Sequence, residues 1–139
     1  MSFNNDVYLL GTCATNPGQS IAMSRIMPDG ALDLGFGFDG NGKILAGDQS
    51  YTAAYGGARQ AAGKVYVTGH SGPSPNDYRM MVARFNVDGS LDNTFGTDGF
   101  VTTEFASNEN SRGWDLAVQP DGKIVAAGWS GIGSRSRAI

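Results

Sequence analysis

The chain repeats itself, and no other feature limits its fold so tightly. Residues 23–72 align with 82–131 at a constant offset of 59, without a gap, and sixteen of the fifty positions are identical. The matches cluster. Arg25, Asp29, Gly30, Leu32, Asp33, Phe36 and Gly37 recur as Arg84, Asp88, Gly89, Leu91, Asp92, Phe95 and Gly96. Gln60, Gly63, Lys64, Gly69, Ser71 and Gly72 recur as Gln119, Gly122, Lys123, Gly128, Ser130 and Gly131. A partial third copy leads the chain, where Val7-Tyr8-Leu9-Leu10-Gly11 mirrors Val65-Tyr66-Val67-Thr68-Gly69. A period of this length points to supersecondary units that bury their apolar faces on one another.

Each unit reads as four short strands. In the second copy these are Arg79–Asn86, Phe100–Phe105, Gly113–Gln119 and Lys123–Trp129, divided by the turns Val87-Asp88-Gly89-Ser90, Thr97-Asp98-Gly99 and Pro120-Asp121-Gly122. No window keeps a helical apolar period, and glycine costs about 1 kcal/mol per residue inside a helix. The pattern predicts an all-β chain of antiparallel, four-stranded β-propeller blades. A β-solenoid is the alternative, but its coils repeat over fewer residues. The expected division is a trailing strand of a partial repeat (1–14), one repeat or blade over 15–72, a second over 73–131, and a frayed or vector-derived tail over 132–139.

The segments Arg84-Phe85-Asn86-Val87-Asp88-Gly89-Ser90-Leu91-Asp92-Asn93-Thr94-Phe95-Gly96 and Gln119-Pro120-Asp121-Gly122-Lys123-Ile124-Val125-Ala126-Ala127-Gly128 resemble the delta-60 repeat. This is a family of propeller-like repeats found mainly in large bacterial surface or secreted proteins. The earlier copy departs from it, with Ala61-Ala62 for the Pro-Asp turn and Leu34-Gly35 for the Asn-Thr pair. The resemblance implies a fold and not a reaction. Such repeats occur in longer arrays, so two and a fraction units read as a fragment.

Composition excludes several function classes. Ten Lys+Arg against thirteen Asp+Glu leave a net charge of −3, which offers no basic field for nucleic acid. No apolar run approaches the ~18 residues of a membrane-spanning helix. The 40% hydrophobic content argues against disorder. One cysteine, Cys13, cannot form an internal disulfide and is expected to be a small buried side chain. No signal peptide is visible, so the cytoplasm is the default location, against the surface or secreted setting of the resembled family.

Several motifs dissolve on inspection. Gly35-Phe-Gly37-Phe-Asp-Gly40 matches G-x-G-x-x-G, but a strand rather than a helix is predicted to follow it. Gly37-x4-Gly42-Lys43 begins like a phosphate loop, yet Ile44 stands where Ser or Thr would hold magnesium. The Asp-rich turns lack a calcium loop's terminal Glu, since Gly40 and Gly99 occupy that place. Asx turns explain those aspartates.

Function is expected where the copies differ. His70 is the only histidine and stands where the other copies carry Thr12 and Trp129. Its replacement by Ala should therefore cost less than about 1 kcal/mol. Asp77 lies in the loop just after it, and His70 with Asp77 is the smallest general-base pair available. Tyr78, Arg79 and Trp129 are the candidate ligand-binding residues, although Trp114 and Trp129 also suit packing between sheets. Two functions fit: a binding or scaffold module that self-assembles into a ring, or a promiscuous hydrolase of phosphotriesters, phosphoesters or lactones at the ring axis or an interface. Two blades and an extra strand cannot close alone, so a homo-oligomer is expected, three chains being favoured over two. No cofactor motif is evident, but one His70 or one carboxylate per chain, gathered on a symmetry axis, could hold calcium or another divalent ion.

Overall fold

The computed structural model describes residues 2–3, 6–48, 50–132 and 135–139. Its secondary structure is entirely β, without a helix among the described residues. The strands are β1 (Ser2–Phe3), β2 (Asp6–Thr15), β3 (Gly18–Ile26), β4 (Lys43–Ala46), β5 (Tyr51–Arg59), β6 (Val65–Ser74), β7 (Asp77–Phe85), β8 (Phe100–Thr103), β9 (Asn110–Val118), β10 (Ile124–Ile132) and β11 (Arg135–Ala138). They form three antiparallel meanders. The first sheet runs β1-β2-β3-β4, the middle sheet β5-β6-β7-β8 and the third β9-β10-β11. One parallel bridge, Gln19 to Tyr51, joins the first two at a corner. Among the described residues the sheets do not close into a ring.

The sequence repeat and the sheet are out of phase. A 59-residue unit begins with the last two strands of one sheet, crosses a loop, and ends with the first two of the next. Strands β7 and β8 of the second copy thus belong to the middle sheet, and β9 and β10 to the third. The leading partial copy supplies β2, which pairs with β3 of the first full copy, so the first sheet is drawn from both.

Face-to-face packing follows from the strand period of two. β5 lies across β2 and β3, and β9 lies across β5, β6 and β7. Tyr8, Ile21, Met23 and Ile44 of the first sheet meet Val65, Val67, Met81, Ala83, Phe85 and Phe100 of the middle sheet in one apolar core. Strand β6 is buried from Val65 to Gly72 without a break, because only the middle sheet has a neighbour on each face.

The repeated identities are the joints of this stack. Tyr8 meets Phe36 edge-on at 5.7 Å, and Tyr66 meets Phe95 edge-on at 5.9 Å. Arg25 lies 4.8 Å over Phe36 and pairs with Asp33, while Arg84 lies 4.7 Å over Phe95 and pairs with Asp92. The Arg25 guanidinium holds the Asp33 carboxyl below its usual range. Lys64, Thr94 and Arg84 hold Asp92 lower still. The turns repeat too. Asp29, Asp88 and Asp121 each accept the backbone N–H two residues on, which is the Asx geometry expected of them.

Three further expectations are corrected. Cys13 is half-buried, because it sits on the outer face of the first sheet, which has no covering sheet. Trp114 packs against the neighbouring sheet on one side only and is about half exposed. Residues 135–138 of the expected tail form β11 on the edge of β10, where Arg137 pairs with Glu109. A strand held by main-chain pairing needs no apolar period, so this segment gave no signal in the sequence.

Candidate functional site

Five side chains from two sheets gather around one guanidinium, that of Arg112. Tyr55 comes from β5, His70 from β6, Tyr78 from β7, Arg112 and Trp114 from β9, and Trp129 from β10. The Arg112 guanidinium carbon lies 5.0 Å from the Tyr78 ring centre, 5.4 Å from Trp129, 5.5 Å from Trp114 and 6.0 Å from Tyr55. It also donates to the Tyr78 hydroxyl. The Arg112 Nε is buried and has no hydrogen-bond partner among the described residues. Such an array suits a cation, since ring faces attract positive charge most strongly where water is scarce.

His70 anchors the cluster from below. Contrary to the expected strand end, it sits within β6 opposite Ala53 and Met80, and it is buried. Its ring lies 4.4 Å from Tyr78 and 5.6 Å from Tyr55, whose hydroxyl is 3.3 Å from Nδ1. Burial, aided by the Arg112 charge, pushes the imidazole down to about 4, so it is neutral at pH 7. The strand position tolerates Thr12, His70 and Trp129 because each faces a different neighbour. Thr12 Oγ1, for example, both donates to Ala54 O and accepts from Ala54 N.

The five residues expected at the site divide into two groups. His70, Tyr78 and Trp129 join the cluster around Arg112. Asp77 and Arg79 lie outside it, at the start of β7 rather than in the loop expected, and they pair with each other at 2.7 Å, so Asp77 is engaged by Arg79 and not by His70. With Tyr78, Asp48, Ser71 and Thr102 they line a small cleft of about 320 Å³. There Asp48 accepts from Ser71 and, at 3.3 Å, from Thr52. The third sheet repeats this joint, with Ser130 donating to Glu109 at 2.8 Å. A carboxylate ahead of a sheet's first strand, bonded to a buried serine on its second, is a structural staple used twice. Among the described residues no three His, Cys, Asp or Glu side chains converge to hold a metal.

Tyr55, Trp114 and Arg112 complete a cluster that sequence reading marked only in part. One signal was present: Tyr55 and Trp114 occupy the same repeat position, and their rings lie 4.9 Å apart on adjacent sheets. Arg112 aligns with Ala53, and nothing in its neighbourhood of Glu109, Trp114 and Asp115 sets it apart.

Residues 60–95 and 119–139 match a family model described as a domain of unknown function (DUF5122) beta-propeller. The fold is propeller-type. Both matched segments cover the repeat's turns and the strands that flank them, and the face-to-face sheets are the corresponding blades. No curated protein matches the chain.

Proposed function

We propose that this chain is a propeller module of the binding or scaffold kind that self-assembles into a closed ring. One observation carries the reading: the middle sheet is buried on both faces, while the first and third each leave one apolar face open. Leu9 and Leu45 project from the first sheet, and Val125 and Ile132 are exposed on the third. Unpaired edges and bare faces of this kind favour association. Three sheets per chain argue for two chains in the ring rather than the three suggested by counting repeats. Two chains supply six sheets, whereas three supply nine, beyond the usual range of about four to eight blades.

The exposed Tyr55 and Trp114 rings beside Arg112 are the seat proposed for a ligand or partner, joined by Trp129 and Tyr78. The hydrolase alternative draws less support, because Asp77 is engaged by Arg79 and His70 is a weak base. The experiment is native mass spectrometry on dilute protein, followed by a panel of activated esters and phosphotriesters with and without chelator. The expected result is an assembled species without turnover. A monomer with a cooperative, concentration-independent melting midpoint overturns the ring. Turnover moves the reading to the hydrolase, and turnover lost with chelator adds a divalent ion such as calcium.

A further inference from the structure

The two open faces are counterparts of surfaces that the chain already buries internally. On β6, Val65 and Val67 point toward the first sheet, whereas Tyr66, Thr68 and His70 point the other way, toward the third. The repeat carries this alternation into the outer sheets. Val7 and Leu9 on β2 correspond to Val65 and Val67, yet among the described residues no sheet covers them. Leu9 is 54% exposed where Val67 is 0%. At the other end, Val125 on β10 corresponds to Tyr66 and is 52% exposed where Tyr66 is 3%. The outer face of the first sheet is therefore of the kind that receives a preceding sheet, and that of the third is of the kind that receives a following one.

Deepening the ring reading, on which it rests, we propose that closure is head to tail. The outer face of the first sheet in one copy docks on the outer face of the third sheet in a second copy. The junction reproduces an arrangement the chain makes twice already, first sheet against middle and middle against third. A first-to-first contact has no internal precedent, because it would oppose two faces of the same kind. The receiving surface is an open groove of about 560 Å³, where Leu9, Ala22 and Leu45 are flanked by Asp39, Asn41 and Lys43. Its occupant is the β10 face that carries Val125 and Ala127.

Two charge substitutions separate this polarity from ring formation as such. Leu9→Asp spoils the first-sheet face and Val125→Asp the third-sheet face, and both side chains are exposed within the chain, so each variant should fold with parental circular dichroism. Head-to-tail closure predicts that each variant alone is monomeric by native mass spectrometry. An equimolar mixture then forms a 1:1 heterodimer through its one intact junction. Like-to-like closure predicts the reverse, with homodimers of each variant and no heterodimer, and that result overturns the polarity while leaving the ring. A mixture that remains monomeric also overturns it. A monomeric parent removes the ring and the polarity together.

Discussion

Gly96 shows how a single residue can be fixed by backbone geometry. Its φ is +57°, and an added Cβ would lie 2.1 Å from the Phe100 carbonyl oxygen. The matching Gly37 has φ +88°. Left-handed backbone with a carbonyl pressed against it admits no branched side chain. Gly96→Val should cost about 2 kcal/mol or more in chemical denaturation, and a variant melting within a degree or two of the parent would contradict this. His70 carries the opposite lesson. Its alignment with Thr12 and Trp129 suggests a permissive site, yet the ring is buried against two tyrosines. His70→Ala should cost about 2 kcal/mol rather than less than 1. The sign of its pH effect is also fixed. Because the folded imidazole titrates at about 4, below its ordinary 6.5, its stabilising contribution is complete above pH 6.5 and is lost as the pH falls toward 4. That loss is on the order of 3 kcal/mol. Thermal melts of His70→Phe should be flatter than the parent between pH 6.5 and 4. The carboxylates held low by their partners, such as Asp33 and Glu109, give up their share only below the usual carboxylate range.

At the scale of strands, the third sheet is tied to the middle one through polar contacts as much as apolar ones. Ser111 Oγ on β9 accepts the Met80 N–H of β7 at 2.8 Å, and Asn110 Oδ1 accepts the Tyr78 N–H at 3.0 Å. Removing the hydroxyl leaves a buried donor without a partner, at a cost of about 1–3 kcal/mol. Ser111→Ala should lower stability by that amount in denaturant unfolding and speed hydrogen exchange at Met80. No change in exchange would mean that the β7 edge finds water instead. These ties were illegible in the sequence, since a serine opening a strand looks like any turn residue. The strands themselves were legible, because their turns carry Asp-Gly pairs and their glycines forbid helix. Their grouping was not. A repeat written in one dimension has no preferred starting point, and only hydrogen bonding shows that β8 ends a sheet and β9 begins the next.

Across the whole molecule, the legible part is the part the copies share. Tyr8, Arg25, Asp33 and Phe36 recur as Tyr66, Arg84, Asp92 and Phe95, and they hold each sheet's core in the same way. The aromatic cluster around Arg112 uses residues that the copies do not share, drawn from five strands, so no linear pattern could assemble it. Asp77 is only seven residues from His70 in sequence yet engaged elsewhere in space. The offset between repeat and sheet has a consequence for how such chains change length. Copying or deleting one 59-residue unit adds or removes the end of one sheet and the start of another, and the chain always rejoins as a whole sheet. An array can then lengthen or shorten by recombination without inventing a new kind of junction. Under the head-to-tail closure proposed above, its two end faces stay complementary whatever the number of units.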